Sequence, residues 1–279
     1  MYNPLADQNK EIMLDTLRRC RGEEALAQAI IETNRKQYIL TEEELEKMDY
    51  SSGTWSQNII VSEGKSFETA KKYLGKKIAV LDFANYYSAG GAPFSARAQE
   101  ESMCRISTLY PCINTVYNYD HYYLKHRNQS NNGIIDNYGG ADLIYVPDVV
   151  VFKTDTQTPQ VMEKKDWYKT DVIVAAAPHL WWKEKCKEEK YLPVMRRLVR
   201  GILNVAAKEK VEVLILGAIG CGAFNNPPEL VAKIFKEELK HFSFDTVEFA
   251  IHRGHHENHN YEAFQDIFSG RGTNLFDMD

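Results

Sequence analysis

Glu100 and Glu101 stand side by side after Gln99 at the head of the segment "RAQEESMCRISTLYPCI". Neighbouring carboxylates repel, and one of them can then hold its proton near neutral pH. The amides at a helix N-terminus act in the opposite sense and favour the ionised form. A pair of this kind suits general acid–base work, and it is equally what ordinary first-turn acids look like. A third carboxylate, Asp82, lies inside the apolar run "KIAVLDFA" (77–84), where a charge without partners is costly. Between them runs a loop through Ala89, Gly90 and Gly91.

A second glycine loop, "GAIGCGAFNN" (217–226), follows an apolar strand and precedes a helix. Exposed N–H groups and a helix dipole in such a place favour a phosphate. A tight strand-to-helix turn is the other reading of the same residues. The loop matches neither common nucleotide fingerprint. Cys221 within it has no histidine near it in sequence and is expected to pack under the loop rather than act as a nucleophile. His252, His255, His256 and His259 cluster in "HRGHHENH", but they lack helical pairing and a nearby cysteine. A polar strand-end loop is expected there, and no metal site. Trp181 and Trp182 read as half-buried aromatics, with an interface patch as the alternative.

These residues need a scaffold, and the chain supplies an alternating one. From the start, "NKEIMLDTLRRCRGEEALAQAIIETNRKQYIL" places Ile12, Leu14, Leu17, Leu26 and Ile30 at helical spacing, with a break near Gly22. "TEEELEKM" has Thr41 ahead of Glu44, a capping pattern. Residues 1–54 are expected to form a helical N-terminal extension, residues 55–268 the main domain, and 269–279 a loose tail. Within 55–268, strands are expected at 58–64, at 77–84, on either side of Pro147 in 143–153, at 170–178, after 211 and at 246–252. Helices are expected after Ser66 as cap, from Arg97 to Pro111, from Val194 to Lys210, after Pro227 and Pro228, and over 260–268. Residues 114–142, rich in Asn and Tyr, read as long loops with a short helix. The alternation predicts an α/β fold with a largely parallel or mixed sheet covered on both faces. Ligands in such folds sit beyond the carboxyl ends of the strands, where both glycine loops fall.

The composition fits an ordinary globular protein, with 279 residues, 44% hydrophobic and 26% charged. The net charge of −5 argues against nucleic acid as the primary ligand. No apolar run approaches the ~18 residues of a membrane span. Five cysteines without a CxxC pair suggest a reduced, cytoplasmic protein.

The run Asp82-Phe83-Ala84-Asn85, the Gly90-Gly91 pair and Gln99-Glu100-Glu101 together resemble the signature of poly(ADP-ribose) glycohydrolases. "YVPDVVVF", "TDVIVAAAP" and "GAIGCGAFNNPPELVA" are similar to segments of the microbial branch, and the resemblance runs from about residue 10 to 268. It implies a macrodomain-like fold and hydrolysis of the ribose–ribose O-glycosidic bonds of ADP-ribose polymer or ADP-ribosylated protein, with no cofactor and no metal. It further implies Glu101 as acid/base, with Glu100 and Asn85 on the ribose hydroxyls and Asp82 beneath the site. Gly90 and Gly91 would flank the diphosphate. Gly220, Cys221 and Gly222 would cradle its other side, with Phe224 against the distal ribose. Ala89, Gln99 and Ala223 complete the implied binding set. Ala89 replaces the first glycine of the family's triplet, so its methyl is expected to crowd the ligand or conflict with a positive φ. Ile219 stands where many relatives carry tryptophan, and 124–140 looks like an insertion. Removal of terminal or single ADP-ribose units and non-catalytic ADP-ribose binding are alternatives on the same fold. Retention of Gln99-Glu100-Glu101 favours catalysis.

Overall fold

A computed structural model describes residues 4–52, 57–134, 136, 139–180, 187–253 and 258–269. In chain order the helices and strands are α1 (Pro4–Gly22), α2 (Glu24–Lys36), β1 (Tyr38–Leu40), α3 (Glu42–Glu46), β2 (Asn58–Glu63), α4 (Ser66–Ala70), β3 (Ile78–Phe83), α5 (Gln99–Ile106), α6 (Leu109–Ile113) and α7 (Val116–Asn118). A π-helical turn, Tyr119–Tyr123, leads into α8 (Leu124–Asn131). There follow β4 (Leu143–Val151), β5 (Tyr168–Ala175), α9 (Glu188–Lys208), β6 (Val213–Leu216), α10 (Pro228–Glu238), β7 (Thr246–Ile251) and α11 (His259–Ser269).

The seven strands form one sheet in the order β1-β4-β5-β3-β6-β7-β2. From β5 to β2 all neighbours are parallel, while β4 and β1 join antiparallel. Strands β3, β5 and β6 are buried along nearly their whole length because helices cover both faces. One face packs on α9 and α10 through Leu198, Ile202, Val231 and Phe235, and the other on α4, α5, α6 and the π-turn through Phe67, Met103, Leu109 and Tyr122. Helix α2 lies over β4, where Leu26 meets Val150 and Phe152.

The parting of β3 from β6 makes the site. Their pairing stops at Val80 opposite Ile215, whereas β3 stays paired with β5 to Phe83 opposite Ala175. Beyond Val80 the sheet opens on one side of β3, and the crevice lies at the carboxyl ends of the parallel strands.

Several expectations change. Tyr38–Leu40, read as helical, is a strand paired with Leu143–Tyr145, so the segment before residue 54 contributes an edge of the sheet. The helix read from Arg97 to Pro111 is broken at Ser107. There Thr108 donates its N–H to Val150 O at 2.9 Å and its hydroxyl accepts from the Val150 N–H at 2.9 Å, so bonding to β4 replaces the helical ladder. Pro111 sits in the short α6 that follows. Within 143–153 there is one strand, Leu143–Val151, rather than two, with a bulge between Val146 and Val149 and Asp148 at φ 56°. Residues 116–131 are a helical run, not loops. Of the tyrosines that made the segment look polar, Tyr122 and Tyr123 are almost wholly enclosed, while Tyr117 and Tyr119 stay exposed. Ser66 is not the cap of α4; that position is Lys65, and Ser66 turns its hydroxyl to Gln99. The Thr41–Glu44 capping box and the proline start of α10 are both present. The tail beyond Ser269 lies outside the described residues.

Candidate active site

Helix α5 begins without a side-chain cap, so its first-turn amides and its first three side chains, Gln99, Glu100 and Glu101, are left to serve the crevice. Gln99 repairs the opened edge of β3. Its Oε1 accepts the Phe83 N–H at 2.8 Å, and its Nε2 donates to Leu81 O at 2.7 Å and to Ser66 Oγ at 3.0 Å. Gln99 therefore does the work of a missing neighbouring strand, and it fixes where α5 starts relative to β3.

Glu100 and Glu101 are 3% and 7% exposed, an unusual burial for two adjacent acids. Glu100 Oε2 accepts the Asn85 N–H at 2.9 Å, and Glu101 Oε1 accepts the Ala92 N–H at 3.1 Å. Their other oxygens, Glu100 Oε1 and Glu101 Oε2, have no hydrogen-bond partner among the described residues, nor does either oxygen of Asp82. Asp82 is completely buried beneath them, and this burial, with the charge of Glu101, holds its carboxyl well above the usual range. Burial likewise raises Glu100, reinforced by Asp82 and Glu101 and opposed by the amides of Asn85 and Gly90. Neutral carboxyls are hydrogen-bond donors as well as acceptors, which suits them to hold hydroxyls.

The first glycine loop is folded over the carboxyls. Asn85 Oδ1 accepts from the N–H groups of Tyr87 (2.8 Å) and Ser88 (3.1 Å), an Asx turn that starts it. At Gly91, φ is +61°, and a Cβ there would lie 2.5 Å from Glu101 Oε1 and 3.2 Å from Glu100 Oε2. Only glycine lets the chain pass so close to both acids.

The second loop is closed by a residue the sequence reading missed. Asn226 Nδ2 donates to Pro178 O at 2.7 Å and to Gly220 O at 3.0 Å, and its N–H also reaches Gly220 O at 3.0 Å. Gly220 has φ +73°, and a Cβ there would meet Asn226 Nδ2 and the Ala177 methyl, each at 2.6 Å. The N–H groups of Gly222, Ala223 and Phe224 find no backbone acceptor among the described residues. Phe224 is half-buried, with His179 edge-on at 4.7 Å.

Between the loops lies a cavity of about 360 Å³. Asn85, Gln99, Glu100, Glu101, Gly220, Gly222, Ala223 and Phe224 line it, together with Ile219. Five residues of the expected set do not. Asp82 lies below the floor, and Gly90 and Gly91 form the back of the loop. Ala89 is half-buried against the core layer that holds Met103 and Cys104 and has no positive φ, so the expected backbone strain does not arise. Cys221 Sγ faces Ile219 O at 3.5 Å in the other core layer, and burial pushes its thiol up, the opposite of an activated nucleophile.

Phe83, Arg97, Lys65, Asp155, His252 and Asn260 also line the cavity, and the sequence reading named none of these as binding residues apart from His252 in its cluster. Lys65 Nζ pairs with Asp155 at 2.9 Å, a contact across 90 residues that no local pattern signals. His259 pairs with Glu229 at 3.1 Å, while His255 and His256 lie outside the described residues, as do Trp181 and Trp182. No metal-ligating cluster occurs among the described residues, and no helix among them is long and apolar enough to cross a membrane.

The mixed α/β sheet, with buried acids at the head of a helix opposite a donor-rich glycine loop, is a macrodomain-like fold. Residues 8–154 match the family described as microbial-type PARG, catalytic domain, and the chain belongs to that family. The family is one of glycoside hydrolases that act on poly(ADP-ribose), and the chain is an enzyme of that class. Among solved structures it is similar to poly(ADP-ribose) glycohydrolase from Thermomonospora curvata bound to the inhibitor ADP-HPD, with 25% identity and a TM-score of 0.80, over 95% of this chain and 99% of that one. It is also similar to the Deinococcus radiodurans enzyme in complex with ADP-ribose, with 26% identity and a TM-score of 0.74, over 87% of this chain and 98% of that one. No curated protein matches the chain.

Proposed function

We propose that the enzyme releases ADP-ribose from poly(ADP-ribose) with Glu101 as its general acid and base. The observation that carries this is that Glu100 and Glu101 both line the cavity while each keeps one buried oxygen, Glu100 Oε1 and Glu101 Oε2, without a partner among the described residues. Two adjacent buried acids lining one cavity suit a glycosidic bond, which needs a proton for its leaving oxygen and stabilisation of an oxocarbenium-like centre.

In this reading the terminal ADP-ribose enters with its diphosphate on the amides of Gly222, Ala223 and Phe224. Phe224 packs against the distal ribose. Glu100, kept neutral by burial, and Asn85 hold the hydroxyls of the ribose being cleaved. Glu101 gives its proton to the departing ribose oxygen, and the ribose–oxygen bond breaks. Glu101 then takes a proton from the water that adds to the anomeric carbon, which returns the site to its starting state. Asp82 and Gln99 position rather than react, the first from beneath and the second through the β3 backbone.

The reading also places the enzyme in the cytoplasm. Among the described residues Cys20, Cys104, Cys112 and Cys221 are free, which suits a reducing compartment. Incubation with polymer attached to a modified protein is the test: time-dependent appearance of free ADP-ribose is expected, and polymer left intact would overturn the proposal.

A further inference from the structure

The segment Val116–Asn131 takes no part in lining the cavity, yet it reaches the catalytic loop with one charged side chain. Arg127 donates through Nε to Tyr87 O at 2.7 Å and through a terminal nitrogen to Ser88 Oγ at 3.3 Å. These are the two residues whose N–H groups are bound by Asn85 Oδ1. Ser88 O in turn accepts the Gly91 N–H at 3.1 Å, and the next residue, Ala92, holds Glu101 Oε1. A continuous chain of contacts thus runs from the Arg127 guanidinium to the carboxyl proposed as the acid.

The π-turn aims this arginine. Tyr119 and Arg127 are eight residues apart, which on an uninterrupted helix at about 100° per residue would set them about 80° apart round the axis. One π-turn adds one residue, so the offset falls to about 20° and the two share a face. The guanidinium accordingly lies over the Tyr119 ring at 5.8 Å. The same turn sends Tyr122, Tyr123 and His126 inward. His126 meets the Tyr86 ring edge-on at 4.6 Å and anchors to Asp142 at 3.1 Å, so the base of the strut is fixed.

We infer that Arg127 is a positioning residue for the hydrolysis, a strut that the π-turn directs onto the Tyr87–Ser88 segment to hold the loop over Glu101. The inference rests on the proposed role of Glu101, and the two fail separately. A Glu101 substitution tests the acid alone, whereas Arg127 variants leave the acid in place and test the loop.

The experiment is steady-state hydrolysis of poly(ADP-ribose) by Arg127→Ala and Arg127→Lys, with thermal melts of each. A loop displaced by even ~1 Å costs on the order of 10²-fold in rate. For Arg127→Ala the expected result is a fall in kcat of about 10- to 100-fold, with KM within about threefold, and partial recovery on adding guanidinium at millimolar concentration. For Arg127→Lys, which restores one contact of the two, kcat should lie between that of Arg127→Ala and the parent. If Arg127→Ala does not fold, a lowered kcat at unchanged KM in Arg127→Lys supports the strut. Parental kcat in the folded variants, or a loss carried by KM alone, would overturn the inference.

Discussion

Gly91 and Glu101 are in such close contact that a methyl group on the first would fall 2.5 Å from Oε1 of the second. The catalytic loop and the acid are therefore one object, and the backbone of the loop is shaped by the carboxyl beneath it. Gly91→Ala is expected to displace Glu101 and to strain a φ of +61°. The backbone alone should cost about 1–2 kcal/mol of stability, and kcat should fall at least about 10²-fold. A melt and a rate measurement on the purified variant check both; parental kcat would show that the loop is free to move away from the acid.

Ala89→Gly should behave in the opposite way. It is half-buried against the core and its φ is not positive, so glycine relieves no backbone strain. Turnover should stay within about threefold of the parent, with a stability loss of up to about 1 kcal/mol from added backbone freedom. A rise in kcat of tenfold would mean that the methyl obstructs substrate after all.

Asn226→Ala should loosen the second loop. Pro178 O would lose its side-chain donor in a buried place, at about 1–3 kcal/mol, while Gly220 O would keep the Asn226 N–H alone. The affinity for ADP-ribose should fall about tenfold, as the amides of 222–224 lose their fixed direction. Calorimetry with ADP-ribose is the check, and unchanged affinity would separate Asn226 from ligand binding.

How far these residues could be read in advance follows from the range of their contacts. Glu100, Glu101 and the glycines lie on two short segments bounded by apolar strands, so spacing and turn chemistry marked them as candidates, and the family resemblance gave them roles. The parallel strands were legible for the same reason, since burial on both faces leaves an unbroken apolar run. Asn226 was missed because Pro178 O and Gly220 O, to which its side chain donates, are brought together only in space. Lys65 and Asp155 meet only through tertiary packing. Residues 116–131 misled because tyrosine counts as polar in a sequence, while its ring is apolar enough to fill a core. The role of Ala89 was misjudged because the direction of a methyl group depends on a local backbone path that composition does not encode.

Asp82 offers a pH test of the buried acids. Folded Asp82 retains its proton at pH values where the unfolded chain, with an ordinary value of 3.8, has lost it. Folding therefore takes up a proton above that pH. The stability this group contributes is complete below 3.8 and is lost as pH rises toward its folded value. Asparagine does not titrate. The stability of Asp82→Asn relative to the parent should improve as pH rises from about 4 to about 8, by at most about 1.4 kcal/mol per pH unit for the one proton. Urea melts across that range measure it, and a gap that stays constant or moves the other way would show Asp82 to be ionised in the folded protein.

The most direct test of the central claim is the pair Glu101→Gln and Glu100→Gln, each measured for ADP-ribose affinity and for polymer hydrolysis. Glutamine at 101 keeps the shape and the acceptor for the Ala92 N–H but can neither give nor take the proton. Acid–base catalysis supplies about 10²–10⁴-fold, so hydrolysis by Glu101→Gln should fall at least that far while ADP-ribose binding is nearly intact. Glu100→Gln should instead lose affinity, because its carboxyl is placed to hold ribose hydroxyls. Near-parental hydrolysis by Glu101→Gln would contradict the account.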